Sequence, residues 1–252
     1  MKKKYPLYIL SVLSCVYLLI SCFKTPTQHI STKIKGVSVV GAPKEIENTS
    51  FTEIININSN YVALIPYAFV PKTEASVITN HGYQWWGETP EGIIKCIKMA
   101  DSLHLKVMIK PQLWFAHGEY TGNINFSSEK EWLQWEKHYT EYIMRFVKLA
   151  NDWNVELFCI GTELKRAVEN RPDFWINLIS KIRKSYNGKL TYAANWDEYE
   201  DLIFWNKLDF IGIDAYFPLC QKKCNYSSLI NQWRSISNRL EKFSAKIQRP
   251  IL

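Results

Sequence analysis

The chain is predicted to fold as an α/β barrel of the (β/α)8 TIM-barrel type, incomplete at about six and a half of eight βα units. Three observations predict it. Short β-rich runs alternate with amphipathic helical stretches, the runs are apolar almost throughout, and each ends in polar or aromatic residues. Alternation calls for a parallel sheet with helices outside it. Runs without polar alternation call for burial on both faces. A doubly wound open sheet shares these features, but no glycine-rich phosphate loop follows the first run, which counts against the nucleotide-binding version.

The runs are KGVSVVG (35–41), YVALIPYAF (61–69), LKVMIKPQLW (105–114), VELFCIGTEL (155–164), KLTYAANWDEY (189–199) and LDFIGIDAYFPL (208–219). Helical patterns separate them at 90–103, 128–153, 171–186 and 227–247, the first and third opening near a proline suited to a first helical turn. Trp132, Trp135 and Tyr139, spaced three and four apart, form a helical core stripe.

Composition bounds the rest. The 252 residues are 47% hydrophobic, enough to bury a large core. Ten Trp and 14 Tyr exceed what a core needs, and flat apolar rings can stack on sugar rings or fill interfaces. The opening MKKKYPLYILSVLSCVYLLISC has a basic start and an apolar stretch too short for a confident membrane span. It reads as an export signal over residues 1–21, and its Leu19-Ile20-Ser21-Cys22 ending resembles a bacterial lipobox, with Cys22 as the lipid attachment. A linker at 22–33 then leads into a domain at 34–252. Removing Lys2, Lys3 and Lys4 with the leader lowers the formal charge from +7 to +4, so no nucleic-acid partner is expected. Cys96 and Cys159 read as buried thiols. Cys220 and Cys224 share a loop where a local disulfide is open. No cofactor and no metal site is expected: His29, His81, His104, His117 and His138 are scattered, with His81 and His117 alone near the expected rim.

In a barrel the active site gathers at the C-terminal strand ends. Here those ends carry Pro66 and Tyr67; Lys110, Gln112 and Trp114; Thr162 and Glu163; Asn195, Trp196 and Asp197; Asp214 and Tyr216. Each has a bland reading beside the functional one. Glu163 could be an ordinary rim carboxylate. Lys110 and Gln112 alternate with apolar neighbours and should both point into the barrel mouth, where a buried Lys needs a carboxylate partner. Trp114 is a ring platform or loop core. In the loop after the second run, Trp86 and Glu88 read as ligand-facing and Trp85 as packing. Asn195 and Asp197 should face one way and Trp196 the other; Asp214 and Tyr216 share a face.

GVSVVGAPK, NYVALIPYAF, YQWWGETPEGI, LKVMIKPQLW, VELFCIGTEL, LTYAANWDEY and DFIGIDAYFPL together resemble glycoside hydrolase family 113, a barrel family of the large retaining clan with β-mannanases among its members. The resemblance implies that Glu163, ending the fourth run, is the acid/base. It also implies that a nucleophilic glutamate belongs at the end of strand seven. Trp86, Glu88, Lys110, Gln112, Trp114, Asn195, Asp197, Asp214 and Tyr216 become candidate substrate-binding residues, with Tyr216 in a position that orients the nucleophile in related barrels.

The chain stops at Gln248-Arg249-Pro250-Ile251-Leu252, where a seventh strand would begin, so the nucleophile is expected to be missing. Two readings follow. One is a lipid-anchored retaining endo-β-mannanase-like glycosidase, inactive as a truncated chain; the other is a non-catalytic, lipid-anchored envelope protein that binds glycans. The expected partners are a poly- or oligosaccharide such as β-mannan and, through the lipid anchor, the bacterial cell envelope, on its periplasmic side or outer surface.

Overall fold

The structure is a computed structural model. It describes residues 33–252 apart from 73, 80, 81, 83, 116, 117 and 221–223. The expected leader, Cys22, almost all of the linker, and His29, His81 and His117 lie outside the described residues. The compact unit is Ile34–Leu252.

Its strands, among the described residues, are β1 (Gly36–Val40), β2 (Tyr61–Ile65), β3 (Tyr67–Val70), β4 (Lys106–Ile109), β5 (Gln112–Phe115), β6 (Leu157–Thr162), β7 (Lys189–Asn195) and β8 (Gly212–Asp214). Six of them form one all-parallel sheet in the order β1-β2-β4-β6-β7-β8, the curled wall of a barrel. Ile251 bridges Ile211 in parallel, so residues 250–252 occupy the seventh position beside β8. β3 and β5 form a separate parallel pair.

That pair corrects the expectation of unbroken runs at 61–69 and 105–114. Pro66 and Pro111 interrupt the two strands side by side, because neither has an N–H to give the ladder. Pairing brackets them: Lys110 N–H donates to Leu64 O at 2.8 Å before the break and Gln112 N–H to Pro66 O at 2.9 Å after it. The buried Tyr142 hydroxyl, 2.8 Å from Pro66 O and 3.1 Å from Gln112 O, pins the interruption from the helical side.

Among the described residues, six α-helices accompany the strands: α1 (Thr52–Asn56), α2 (Pro90–Ser102), α3 (Glu129–Asp152), α4 (Lys165–Asn170), α5 (Pro172–Arg183) and α6 (Tyr226–Ile247). Local chemistry sets their starts. Thr89 Oγ1 accepts Gly92 N–H ahead of Pro90, and Ser128 and Glu131 form a reciprocal capping box at α3. α1 and α4 are short and have no counterpart among the predicted helices. Arg171, in the gap between α4 and α5, pairs with Glu129 and Glu136 of α3.

The core lies between sheet and helices. Trp132, Trp135 and Tyr139 are all buried, as the spacing predicts. Trp135 stacks on Tyr139 at 4.8 Å, Tyr139 meets Trp175 edge-on at 5.6 Å, and Trp175 stacks on Phe204 at 6.1 Å. This aromatic column touches the fourth barrel strand directly, since the Tyr139 hydroxyl donates to Ile160 O at 2.9 Å. On the other side of the sheet, the barrel interior holds a cavity of about 380 Å³ reaching from Gly36 and Val62 to Ile213 and Leu252. Cys220 and Cys224 are joined as a disulfide, while Cys96 and Cys159 are free and buried. Among the described residues no helix is long and apolar enough to cross a membrane.

Gly161 is where column and strand meet most tightly. A Cβ there would stand 2.9 Å from both Trp175 Cη2 and the Tyr139 hydroxyl, neither of which has room to retreat. Gly161→Ala is therefore expected to destabilise the fold by about 1–3 kcal/mol. Urea unfolding should show a lower midpoint with an unchanged m-value; an unchanged midpoint would mean the column is loosely packed.

Candidate active site

Glu163 reaches the rim through two local distortions. β6 and β7 slip register between Cys159 and Thr162, with Cys159 opposite Thr191 and Thr162 opposite Ala193, so β6 carries one extra residue. A bulge of this kind re-aims the strand end. The next residue, Glu163, then takes a left-handed backbone with φ of 51°, held by its N–H donating to Ala193 O at 2.8 Å. A non-glycine residue rarely adopts that region, and strain of this kind tends to collect at functional positions.

The side chain so aimed faces Asp214, which ends β8. Asp214 is also tied to Lys110, whose Nζ lies 2.8 Å from Oδ1 and 3.1 Å from Oδ2. Lys110 is 9% exposed, so the pair is screened little by solvent. Burial alone would pull its ammonium down, but the facing Cys159, Asp214 and Glu163 outweigh that and hold it above its ordinary value. For Glu163, burial first and the Asp214 charge second push the carboxyl up to about 7, against the pull of Lys110. The carboxyl thus keeps its proton near neutral pH while standing at a surface.

The remaining expected residues divide. Gln112 Oε1 accepts the Tyr67 hydroxyl at 2.7 Å on the β3–β5 pair and does not join Lys110, because Pro111 breaks the alternation between them. Asn195 ends β7, its Nδ2 3.2 Å from the Tyr120 hydroxyl. Asp197 is exposed in the turn that follows, so strand alternation does not relate it to Asn195 as expected. Trp196 packs edge-on against Phe217 at 6.0 Å. Tyr216 is 79% exposed, just past Asp214.

The two loop tryptophans exchange places relative to expectation. Trp86 lines a pocket with Phe51, Ile54 and Ile93, beneath the loop. Trp85, 47% exposed, opens instead into a cleft of about 410 Å³ shared with Tyr67, Phe69, Glu88 and Trp114. The short turn Trp86–Glu88 explains the exchange, since it folds back with Gly87 N–H on Ala42 O at 2.8 Å and carries Trp86 inward. Glu88, raised by burial against the opposing pull of the Trp85 N–H, is the acidic group of this cleft.

The sequence does not single out Tyr120 or Glu198. Tyr120 sits in a loop with no periodic signal. Glu198 had one available: it stands three residues after Asn195, the spacing at which a carboxylate reaches back to a backbone N–H, as it does here at 2.9 Å. Among the described residues, no group of three His, Cys, Asp or Glu could hold a metal ion.

A parallel barrel wall with a proton-retaining carboxyl at the end of its fourth strand, beside an aromatic cleft, defines a site of the sugar-cleaving barrel type. The sequence pattern of Glycoside Hydrolase Family 113 matches residues 43–252, and the chain belongs to that family. Among solved structures, a GH113 β-1,4-mannanase is 26% identical with a TM-score of 0.71, over 86% of this chain and 70% of that one. The GH113 β-mannanase AaManA from Alicyclobacillus acidocaldarius, in complex with ManMIm, superposes with a TM-score of 0.74 at 22% identity, over 86% and 69% of the two chains. Thermotoga maritima Cel5A in complex with mannotriose, 15% identical, shares the fold at a TM-score of 0.56, over 86% and 76%. No curated protein sequence matches.

Two outcomes are expected from these electrostatics. Glu163 binds its proton more tightly folded than unfolded, so the stability it contributes is full below its ordinary value of 4.5 and is lost as pH rises through about 7. Glu163→Gln should therefore raise unfolding free energy above pH 7 and leave it unchanged below 4.5, checked by urea titration at both ends. Lys110→Met should destabilise the fold by about 3–5 kcal/mol, because it strands the Asp214 charge.

Proposed function

We propose that residues 34–252 carry the acid/base half of a retaining, endo-acting β-mannanase site. The observation that carries this reading is Glu163 itself: it ends the fourth barrel strand, is aimed by a bulge and a left-handed residue, and keeps its proton to about 7. Protonating a glycosidic oxygen near neutral pH needs such a group. The relatives named for β-mannan hydrolysis support the sugar class.

In this mechanism a bound β-linked sugar places its glycosidic oxygen against Glu163, which donates its proton as the bond breaks. The oxocarbenium-like carbon then needs a carboxylate about 5 Å from Glu163. Asp214 is not free to serve as that carboxylate, because it faces Glu163 and is bridged by both oxygens to Lys110. Its charge adds to burial in holding the proton on Glu163, and Lys110 fixes Asp214 in place. Tyr216, exposed beyond Asp214, is assigned the orienting of a nucleophile. Trp85, Trp114 and Glu88 bind sugar rings in the adjoining cleft, and Asn195 and Asp197 bind hydroxyl groups from β7 and its turn. A Cys22 lipid anchor in a bacterial envelope completes the proposal.

Asp214, the acid that faces Glu163, is thus engaged by Lys110, and little or no release of reducing sugar is expected. The exposed Trp85–Trp114 cleft favours a second reading, glycan binding without cleavage, because it does not depend on the carboxyl pair.

The test is to incubate the purified chain with β-mannan and mannotetraose. Reducing sugar that disappears in Glu163→Gln would overturn the expected inactivity and establish the full glycosidase. Oligosaccharide binding without turnover, weakened about tenfold or more by Trp114→Ala, is the outcome expected from stacking worth about 1–3 kcal/mol. Absence of both would remove the sugar assignment.

A further inference from the structure

Behind Asn195 lies a carboxyl group that the mechanism above does not use. Glu198 is 2% exposed and sits in the turn after β7, below the rim. Its Oε1 accepts the Asn195 N–H at 2.9 Å, and its own N–H donates to Asn195 O at 3.1 Å, so the turn is closed twice. Its Oε2 is buried with no hydrogen-bond partner. Charge on an unpaired buried oxygen is unfavourable, and burial accordingly pushes Glu198 up to about 7.

Five titratable groups face it. Glu163 and Asp197 oppose its ionisation and Lys165 favours it, while the phenols of Tyr120 and Tyr192 feel its charge from the neighbouring loop and from β7. Glu169 and Asp201 line a cavity of about 200 Å³ together with Glu198 and Lys165. Lys165 is thus the one cation of this group, and it makes no hydrogen bond to Oε2.

The Asn195 carboxamide is held on both sides. Its Oδ1 accepts the Trp196 N–H at 2.8 Å, and its Nδ2 donates to the Tyr120 hydroxyl at 3.2 Å. The second N–H of Nδ2 remains for a ligand, so Asn195 offers a sugar hydroxyl a donor.

We propose that Glu198 is a positioning residue for Asn195, and that gain or loss of the Glu198 proton changes how firmly the Asn195 backbone is held and hence how its carboxamide meets a sugar. The sugar-facing half of this statement rests on the reading of Asn195 as a hydroxyl-binding residue. The physical link is direct. A hydrogen bond to an ionised acceptor is roughly twice as strong as one to a neutral acceptor. The Oε1 bond to Asn195 N–H is therefore weaker when Glu198 is neutral, below about 7, and stronger when it is charged, above it.

The test follows the Asn195 backbone amide by ¹H–¹⁵N NMR while pH is raised through neutrality. A downfield shift with its midpoint near 7 is expected, still present in Glu163→Gln with a lower midpoint because the opposing Glu163 charge is gone, and absent in Glu198→Gln, which keeps the size and an acceptor oxygen. No inflection in the wild type, one that survives Glu198→Gln, or one that vanishes in Glu163→Gln would each overturn the proposal. Should Glu198→Gln not fold, the Glu198 carboxyl carbon in the wild type must titrate with the same midpoint as the amide, and a mismatch overturns it equally. For the ligand, mannotetraose affinity measured in Glu163→Gln should change several-fold across the same range and become flat in Glu163→Gln/Glu198→Gln. A titrating amide with no mannotetraose binding would retain Glu198 as the holder of Asn195 and dismiss the sugar contact.

Discussion

The ion pair between Lys110 and Asp214 is the interaction on which the rest depends. It joins the third barrel strand to the sixth across the interior, between residues 104 apart in sequence. A lysine at the inner face of a parallel wall is tolerated only with a partner. That partner in turn acts on the chemistry of the rim, because the Asp214 charge adds to burial in raising Glu163. A structural requirement of the barrel interior and the proton affinity of the candidate acid are thereby served by one carboxylate.

The site above this pair is made by departures from regular structure. β6 alone would leave Glu163 in line with Thr162; the extra residue and the left-handed turn swing it over the strand ends. The prolines at 66 and 111 do similar work on the second and third strands, splitting off β3 and β5 so that Tyr67, Gln112 and Trp114 stand apart from the barrel wall. Each irregularity is anchored from behind by a buried phenol: Tyr139 on Ile160 O and Tyr142 on Pro66 O. Rigid support beneath strained positions is what a site needs to hold geometry against thermal motion.

Much of this was legible in the sequence. Apolar runs without alternation mark the buried parallel strands, and the polar residues ending them mark the rim, because both follow from burial on two faces. The Trp132–Trp135–Tyr139 stripe is legible for the same reason, as helical periodicity. What could not be read is direction. Adjacent tryptophans at 85 and 86 are chemically identical, and only the backbone turn beneath Gly87 decides which of them faces outward. The turn after Asn195 is likewise invisible to period counting, which extends β7 to Asp197 and passes over Glu198. The role of Lys110 needed its partner, and that partner lies on a strand whose distance across the interior no local pattern encodes.

The aromatic column from Trp135 through Tyr139 and Trp175 to Phe204 has an optical consequence. Rings fixed at 4.8 to 6.1 Å in set orientations couple their electronic transitions, so the column is an internal chromophore with a near-ultraviolet dichroism of its own. Because Tyr139 holds Ile160 O directly, that signal reports the state of the strand carrying Glu163 without any label attached. Light absorbed in the core thus reads out the frame of a site that lies on the rim.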